Sequence, residues 1–278
     1  EGGGELAKQL LGRTYDVARP GVVAIYLTGS LPAGCGPHDV AIALVGKLFK
    51  SGYVKNKVME FVGPGIASLR QDTRNAIDAM TTETTCLSSI WETDETTQKF
   101  LAVHGRAVDY KKLAPAELAY YDGVVEVDLS AIRPMIALPM HPSNAFTIEE
   151  LNANLEDILH ACEQDVQKLI GRKDVSLDLC SKIENGKLRV DQGVIAGCAG
   201  GLYDSIYEAA SILKGHTGGC GDYALSVYPG SQPIMMELVR TGVIHDLMAS
   251  GATIRTAFCG PCFGAGDVPA NGALSIRH

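Results

Sequence analysis

Three cysteines in the second half of the sequence have the side-chain type and the spacing to hold a metal or to carry redox chemistry. Cys259 and Cys262 are separated by Gly-Pro in the segment RTAFCGPCFGAG, residues 255–266. Cys198 ends an earlier apolar segment, GVIAGC. A Cys-x-x-Cys pair occurs in dithiol redox centres, in zinc sites and in iron–sulfur sites, so the pair alone does not decide among them.

The number of available cysteines makes the dithiol and zinc interpretations less favourable than an iron–sulfur cluster, but it does not exclude them. A thioredoxin-like fold needs further strands and a helix after its cysteines, but only sixteen residues follow Cys262. Zinc commonly takes two Cys-x-x-Cys pairs, and this sequence has one. Three cysteines suit a cubane iron–sulfur cluster whose fourth iron has no protein ligand. The remaining alternative is that the three thiols pack without any metal.

Alternating strand and helix patterns must position these cysteines. Short apolar runs bounded by glycine predict buried strands, and apolar residues at helical spacing predict helices between them. Strands separated by helices pair in parallel through crossover connections. Ser68 is a candidate N-cap of the second predicted helix. In the first half the predicted strands cover residues 21–29, 57–63 and 86–91, and the predicted helices cover residues 37–52, 68–83 and 95–105.

A segment with three prolines, residues 123–144, interrupts this alternation, and we expect the boundary between two domains near residues 134–145. The clearest amphipathic pattern follows and predicts one helix over residues 147–170, with Thr147 and Glu150 as a capping box. The next predicted strands cover residues 193–198, 224–230 and 252–260, and the next predicted helices cover residues 202–213 and 232–242. The predicted fold class is α/β with largely parallel sheets.

The predicted topology brings the cysteines together. Cys198 and Cys259 both fall at the carboxyl ends of predicted strands, which is the edge where open α/β sheets bind ligands. We predict two domains, one over residues 1–138 and one over residues 139–278, the second of which carries the cysteines.

Composition argues against several classes of protein. The 278 residues are 46% hydrophobic and 20% charged, and the formal net charge of −8 argues against a nucleic-acid partner, because phosphate contacts need clustered Lys and Arg. No apolar run reaches the roughly 20 residues that span a bilayer, so we expect no membrane partner. Eight irregularly spaced cysteines do not fit a secreted disulfide scaffold, and we expect a cytoplasmic protein with reduced thiols. The sequence lacks an initiator Met, and we expect a fragment of a longer polypeptide.

Four segments resemble a known family. VMEFVGPGIASLRQDTRNAIDAMTTE, residues 58–83, and DETTQKFLAVHGR, residues 94–106, resemble the second domain of the aconitase family. GVIAGCAGGLYDSIYEAASIL and YPGSQPIMMELVRTGVIHDLMASGATIRTAFCGPCFGAGD are similar to its third domain. The resemblance covers nearly the whole chain except a helical stretch near residues 147–185, which looks like an insertion. It implies two three-layer α/β domains.

The resemblance also implies a cofactor and an activity. It assigns Cys198, Cys259 and Cys262 as ligands of a [4Fe–4S] cluster, whose fourth iron binds the hydroxyl and a carboxylate of a small hydroxy-carboxylic acid. Glu83 matches a family carboxylate that pairs with an active-site histidine. The implied reaction is the reversible dehydration catalysed by a hydro-lyase.

This sequence departs from the family pattern near the implied cluster. Ala199, Gly200 and Gly201 stand where the family usually has Thr-Asn-Ser, and Ala79 stands where it has Asn. The sequence therefore does not name the substrate. The family's Asp–His pairs, its alkoxide-forming serine and its substrate-binding arginines lie in other segments, on the same chain or on a separate subunit, so we expect this chain alone to be inactive.

Two other interpretations remain open at this stage. The chain is alternatively part of a non-catalytic or degenerate relative that senses iron or binds RNA. Cys86, Cys162 and Cys180 are interpreted as packing residues, and Cys220 as the only spare ligand. The histidines share no ligand motif and are interpreted as surface or satisfied polar residues: His38, His104, His141, His160, His216 and His245.

Overall fold

The computed structural model describes residues 3–14, 16–218, 221 and 223–278. Cys220 lies outside these residues. The first half is built on a four-stranded parallel sheet in the order β3-β2-β1-β4. Its strands are β1 (Val22–Thr28), β2 (Val58–Val62), β3 (Ser88–Trp91) and β4 (Gly123–Asp128). Its helices are α1 (Gly3–Leu10), α2 (Pro37–Leu48), α3 (Gln71–Met80) and α4 (Glu95–Val103).

The first core forms where α2 and α3 cover the central strands. Ile25 and Leu27 of β1, Phe61 of β2 and Ile77 of α3 are completely buried. The sequence pattern predicted β1, β2 and β3 correctly. It missed β4, because the prolines that follow this strand made the whole segment look irregular.

The glycine-proline turn after β2 is held by a buried arginine. Arg74 donates hydrogen bonds to the carbonyl oxygens of Ile66 and Leu69 and a two-pronged pair of hydrogen bonds to the carboxylate of Asp94. The prediction that Ser68 caps the next helix was wrong. Ser68 ends a short 3₁₀ turn and donates to the carbonyl oxygen of Gly65, while α3 begins later.

The middle of the chain contains a hairpin and two helices. The hairpin pairs β5 (Met135–Ala137) with β6 (Ala145–Thr147) in antiparallel fashion. The helix predicted as one element is two, α5 (Ile148–Ala153) and α6 (Leu155–Ile170), which meet at Asn154. The capping box of Thr147 and Glu150 is confirmed. The buried stripe of the two helices consists of Leu151, Leu155, Leu159, Cys162 and Val166.

The last part of the chain forms a second parallel sheet in the order β11-β10-β9-β12. A small antiparallel hairpin precedes it, β7 (Ile183–Glu184) with β8 (Lys187–Leu188). The sheet strands are β9 (Gln192–Ile195), β10 (Ala224–Val227), β11 (Thr253–Ile254) and β12 (Ser275–Arg277). The helices are α7 (Gly197–Gly200), α8 (Tyr203–Leu213), α9 (Gln232–Arg240) and α10 (Val243–Ala249). The α/β class with largely parallel sheets is therefore confirmed.

The two sheets are joined through helices. The α3 helix packs against α7 and α8. The backbone N–H of Asp204 donates to the carboxylate of Asp72 at 3.2 Å, and Arg70 pairs with the Asp204 carboxylate at 3.1 Å. Within the part of the chain that the structure describes, no helix has both the length and the apolar character needed to cross a bilayer.

Candidate functional site

The three cysteines lie just beyond the carboxyl ends of strands in the second sheet. Cys198 is on the short helix α7, which begins two residues after β9 ends. Cys259 leads into a 3₁₀ turn formed by Gly260–Phe263, which contains Cys262. The predicted strands were too long, because β9 and β11 both end before their cysteine. The predicted edge of the sheet was nevertheless correct.

The thiols of Cys198, Cys259 and Cys262 are hereafter the thiol site, in which Cys262 interacts with both of the others. All three residues are exposed, and none forms a disulfide. Burial of its sulfur raises the pKa of the Cys262 thiol, and the neighbouring Cys259 and Cys198 raise it further. Like charges so close together disfavour ionisation of the thiol unless a cation joins them. The site therefore gathers three sulfur ligands in one place.

Gly197 makes room for the thiol site. Its φ angle of +83° lies in the left-handed region, which favours glycine. A Cβ atom at this position would lie 2.8 Å from Sγ of Cys262. The residue before the first cysteine therefore has to be small so that the third sulfur can approach α7.

Two polar side chains hold the Cys-Gly-Pro-Cys turn on the second sheet. Arg277, the last residue of β12, donates to the carbonyl oxygen of Pro261, and its positive charge opposes the rise in the pKa of Cys262. Asp267 accepts hydrogen bonds from Tyr228 at 2.9 Å and from Gln192 at 2.8 Å. Sequence reasoning missed Arg277 because β12, a three-residue strand, carries no apolar pattern of its own.

The departure from the family pattern after Cys198 has a packing reason in this chain. A Cβ atom at Gly200 would overlap the backbone of His278. The carbonyl oxygen of His278 also accepts a hydrogen bond from the backbone N–H of Ala196 at 2.9 Å. The ring of His278 lies 3.9 Å from that of His38, measured between centroids. His278, which follows β12, therefore occupies the space that a larger residue at position 200 would need.

Glu83 lies in the 3₁₀ turn that follows α3, the helix that packs against α7. Its Oε2 atom is 3.7 Å from Nε2 of His141. The other ring nitrogen of His141 accepts a hydrogen bond from the backbone N–H of Ser143 at 3.1 Å. Because a backbone N–H can only donate, the neutral ring carries its proton on Nε2, which faces Glu83. The ring also stacks on Phe49 at 3.8 Å.

His141 is a hydrogen-bonded polar residue, as the sequence predicted, and it also lies beside Glu83. It is the histidine that contacts Glu83 in this structure, and it belongs to the turn between β5 and β6. No short motif links the two residues, because they are brought together only by packing of that hairpin against α2. The one indirect signal was the family resemblance, which implies a histidine partner for Glu83.

Comparison with known proteins gives a family and several relatives. A family model described as Aconitase family (aconitate hydratase) matches residues 1–278. The chain is 31% identical over 249 residues to the 3-isopropylmalate dehydratase large subunit of Thermoanaerobacter sp. (strain X514), an alignment that covers 88% of this chain and 50% of that protein. It is 29% identical over 245 residues to the 2,3-dimethylmalate dehydratase large subunit of Eubacterium barkeri, with coverage of 88% and 50%.

The alignments show how much of this chain and of its relatives is matched. The chain spans about half the length of the curated relatives it matches. The family model, in contrast, matches the chain from its first residue to its last, including both parallel sheets and the thiol site. The chain belongs to the aconitase family.

Proposed function

We propose that this chain is part of an iron–sulfur hydro-lyase that reversibly removes water from a small hydroxy-carboxylic acid. The observation that carries the proposal is the meeting of three thiols from two separate segments at the carboxyl edge of one parallel sheet. Membership of the aconitase family and the dehydratase names of the relatives support it.

The residues of the thiol site fit a [4Fe–4S] cluster. In a [4Fe–4S] cluster with one open iron, the other three irons each take one cysteine ligand, so three thiols are the number required. The three thiols are exposed, the Cys262 thiol interacts with the other two, and Gly197 leaves space beside it. Cys198, Cys259 and Cys262 would hold the cluster. When bound, it would supply a Lewis acid that polarises the substrate hydroxyl.

The protein groups near the thiol site position it. Arg277 fixes the turn that carries Cys259 and Cys262 by its hydrogen bond to Pro261. Asp267 fixes the segment after that turn through Tyr228. Such contacts around metal ligands set their orientation and commonly change metal affinity by about 10- to 100-fold when removed.

We assign the proton chemistry of this chain to Glu83 as the candidate catalytic residue. Its carboxylate is exposed and faces the Nε2 proton of His141, so the imidazole orients the carboxylate. A carboxylate held in this way can exchange a proton with a substrate hydroxyl. Ser143 has a positioning role, because its backbone N–H sets the protonation pattern of the ring.

The domain boundaries and the missing parts of the active site are also proposed. We propose domains at residues 1–138 and 139–278, each built on one of the two parallel sheets. The relatives named above are large subunits, so we propose that further aconitase-like domains, on the same chain or on a separate subunit, complete the active site. The cytoplasmic location stays a prediction.

Anaerobic reconstitution of the chain with iron and sulfide tests the cluster. We expect about four irons per chain and a broad visible absorption band. Replacing Cys198, Cys259 or Cys262 individually by Ser should lower both signals strongly. Cys86→Ser is the matched control, because this half-buried thiol is outside the thiol site and its variant should retain iron. Unchanged iron binding in Cys259→Ser contradicts the proposal.

Turnover is tested on the full-length protein that contains this chain. Formation of an unsaturated acid from a hydroxy-carboxylic acid, followed by its ultraviolet absorption, is the expected result. The chain alone should bind iron without turnover. Salt-dependent RNA binding by the full-length protein without turnover would instead favour the iron-sensing alternative.

A further inference from the structure

A second group of metal-ligand side chains lies on α6 and on the turn that follows it. His160, Glu163 and Cys180 each offer one ligand atom, and these atoms all lie within 4.8 Å of one another. None of the three belongs to the thiol site. The sequence suggested a surface histidine and a packing cysteine here, because three ligands of three different types, separated by 3 and by 17 residues, form no recognised motif.

Glu163 is already fixed in place by the backbone. Its Oε1 atom accepts hydrogen bonds from the N–H groups of Leu179 at 2.5 Å and of Cys180 at 2.8 Å. Its Oε2 atom lies 3.7 Å from Nδ1 of His160, and the carboxylate also interacts with the Cys180 thiol through a side-chain hydrogen bond. The same carboxylate therefore holds the turn against α6 and lies beside both the histidine and the cysteine.

His160 is held from its other side by Gln164. The Nε2 atom of the ring lies 2.9 Å from the side-chain amide of Gln164, one helical turn further along α6. The amide nitrogen of Gln164 donates to Nε2, so the neutral ring carries its proton on Nδ1. Metal binding at Nδ1 therefore requires the amide to turn, so that its oxygen accepts the proton of Nε2 instead. The His160 side chain is 63% exposed, so an ion can reach Nδ1 from solvent.

Cys180 completes the group from the adjacent turn. Its Sγ atom lies 3.9 Å from the carbonyl oxygen of Glu156 and within 4.8 Å of a carboxylate oxygen of Glu163. An excess of negative charge around a thiol is favourable for a divalent cation, which also displaces the thiol proton. Leu179, next to it, is buried in the core that α6 covers, so the backbone at this point is anchored.

We propose that His160, Glu163 and Cys180 form a zinc site that joins α6 to the turn at residues 180–182, with water as the fourth ligand. One nitrogen, one oxygen and one sulfur ligand form a set that zinc accepts in tetrahedral geometry. Zinc–ligand distances of about 2.0–2.3 Å place ligand atoms roughly 3.3–3.8 Å apart. The present separations need only a small inward movement of the exposed imidazole. The site is independent of the proposed hydro-lyase function.

Cobalt titration of the full chain tests this site. The variant used has Cys198, Cys259 and Cys262 all replaced by Ser, which removes the other thiol group able to bind metal. We expect one Co²⁺ per chain, a thiolate-to-cobalt charge-transfer band in the near ultraviolet and displacement of the cobalt by one equivalent of Zn²⁺. Adding Cys180→Ser should abolish the band, and adding His160→Ala should weaken Zn²⁺ binding at least tenfold.

Two matched controls separate the site from general thiol or histidine binding. Cys86→Ser and His245→Ala, added to the same variant, should leave cobalt binding unchanged; the side chain of His245 is 85% exposed and it lies on α10. His160→Ala removes an exposed ring, so its circular dichroism spectrum should match that of the parent. A charge-transfer band that survives Cys180→Ser, or that disappears equally in Cys86→Ser, overturns the proposal.

Discussion

Gly197 leaves its α-carbon unsubstituted next to the sulfur of Cys262. A Cβ atom there would be 2.8 Å from Sγ, although 64 residues separate the two positions along the chain. The contact means that the helix carrying the first cysteine and the turn carrying the third approach as closely as their backbones allow. The space for an inorganic core is thus shaped by a missing side chain as much as by the three sulfurs.

The first prediction is that Gly197→Ala greatly reduces iron binding. Alanine at φ +83° is strained by about 1–2 kcal/mol, and its methyl group would push the Cys262 sulfur away. We expect fewer irons per chain and weaker visible absorption after anaerobic reconstitution. Both are measured alongside the urea midpoint of the metal-free protein.

The control for that prediction is Gly171→Ala. Gly171 also has a positive φ angle, +65°, but a Cβ atom there would meet nothing within 4 Å. The control should lose a similar amount of stability and keep its iron. Equal iron loss in both variants would mean that backbone strain, and not the space beside Cys262, controls assembly of the cluster.

Much of the framework was predictable because it depends on local patterns. The apolar run of β1 predicts a buried strand, and the spacing of apolar residues in α2 predicts the helix that covers it. The capping box at Thr147 was predictable for the same reason, since all its atoms lie within four residues. Cys198 and Cys259 were placed at the correct edge because strand direction in a parallel sheet follows from the alternation alone.

The parts that were missed depend on contacts between distant segments. β12 is three residues long and becomes a strand only by pairing with β9. Arg277 owes its contact with Pro261 to that pairing. His141 meets Glu83 because a hairpin packs on α2, which no periodicity reports. The residue type of Ser68 predicts an N-cap. The helix α3 instead begins at Gln71, after the turn around Ile66 to which the buried Arg74 donates a hydrogen bond.

The second prediction concerns the buried ion pair of Arg74 and Asp94. The Arg74 side chain is 1% exposed, and the Asp94 carboxylate also caps α4 through the N–H groups of Thr96 and Thr97. Asp94→Ala leaves a buried guanidinium without its counter-charge, so we expect a loss of about 3–5 kcal/mol in the free energy of unfolding. Urea denaturation of the metal-free chain measures it.

A surface ion pair provides the comparison. Arg106 and Asp109 lie three residues apart with both side chains largely exposed, so Asp109→Ala should cost less than about 1 kcal/mol. Similar losses in Asp94→Ala and Asp109→Ala would show that burial of Arg74 does not control the stability of this region.

The third prediction concerns acid sensitivity. Burial, and then the neighbouring His278, lower the pKa of His38 to about 3, and its Nδ1 atom is buried without a hydrogen-bond partner. Unfolded histidine titrates near 6.5, so between about pH 6.5 and 3 the unfolded chain binds more protons at this residue. Its neutral form therefore favours folding above that window, and stability is lost as the pH falls through it. The loss from this group is at most about 1.4 kcal/mol per pH unit.

His38→Gln removes this titration. We expect its free energy of unfolding, measured in urea at several pH values, to fall less steeply than that of the parent between about pH 6.5 and 4. His245→Gln, at an exposed position, should keep the slope of the parent. Parallel slopes in His38→Gln and the parent would mean that His38 binds protons equally in the folded and unfolded chain.

The last prediction concerns the turnover of full-length variants in which Glu83 or His141 is replaced. Glu83→Gln keeps the size of the side chain but removes its basicity, so we expect turnover to fall by about 10²–10⁴-fold while the iron content stays the same. His141→Gln should cause a smaller fall in turnover, because the carboxylate loses the imidazole that orients it. Glu149→Gln, at an exposed position at the start of α5, should leave turnover unchanged. If Glu83→Gln retains full activity, the proton is transferred by a group outside this chain, and the contact between Glu83 and His141 serves only to attach the hairpin to the end of α3.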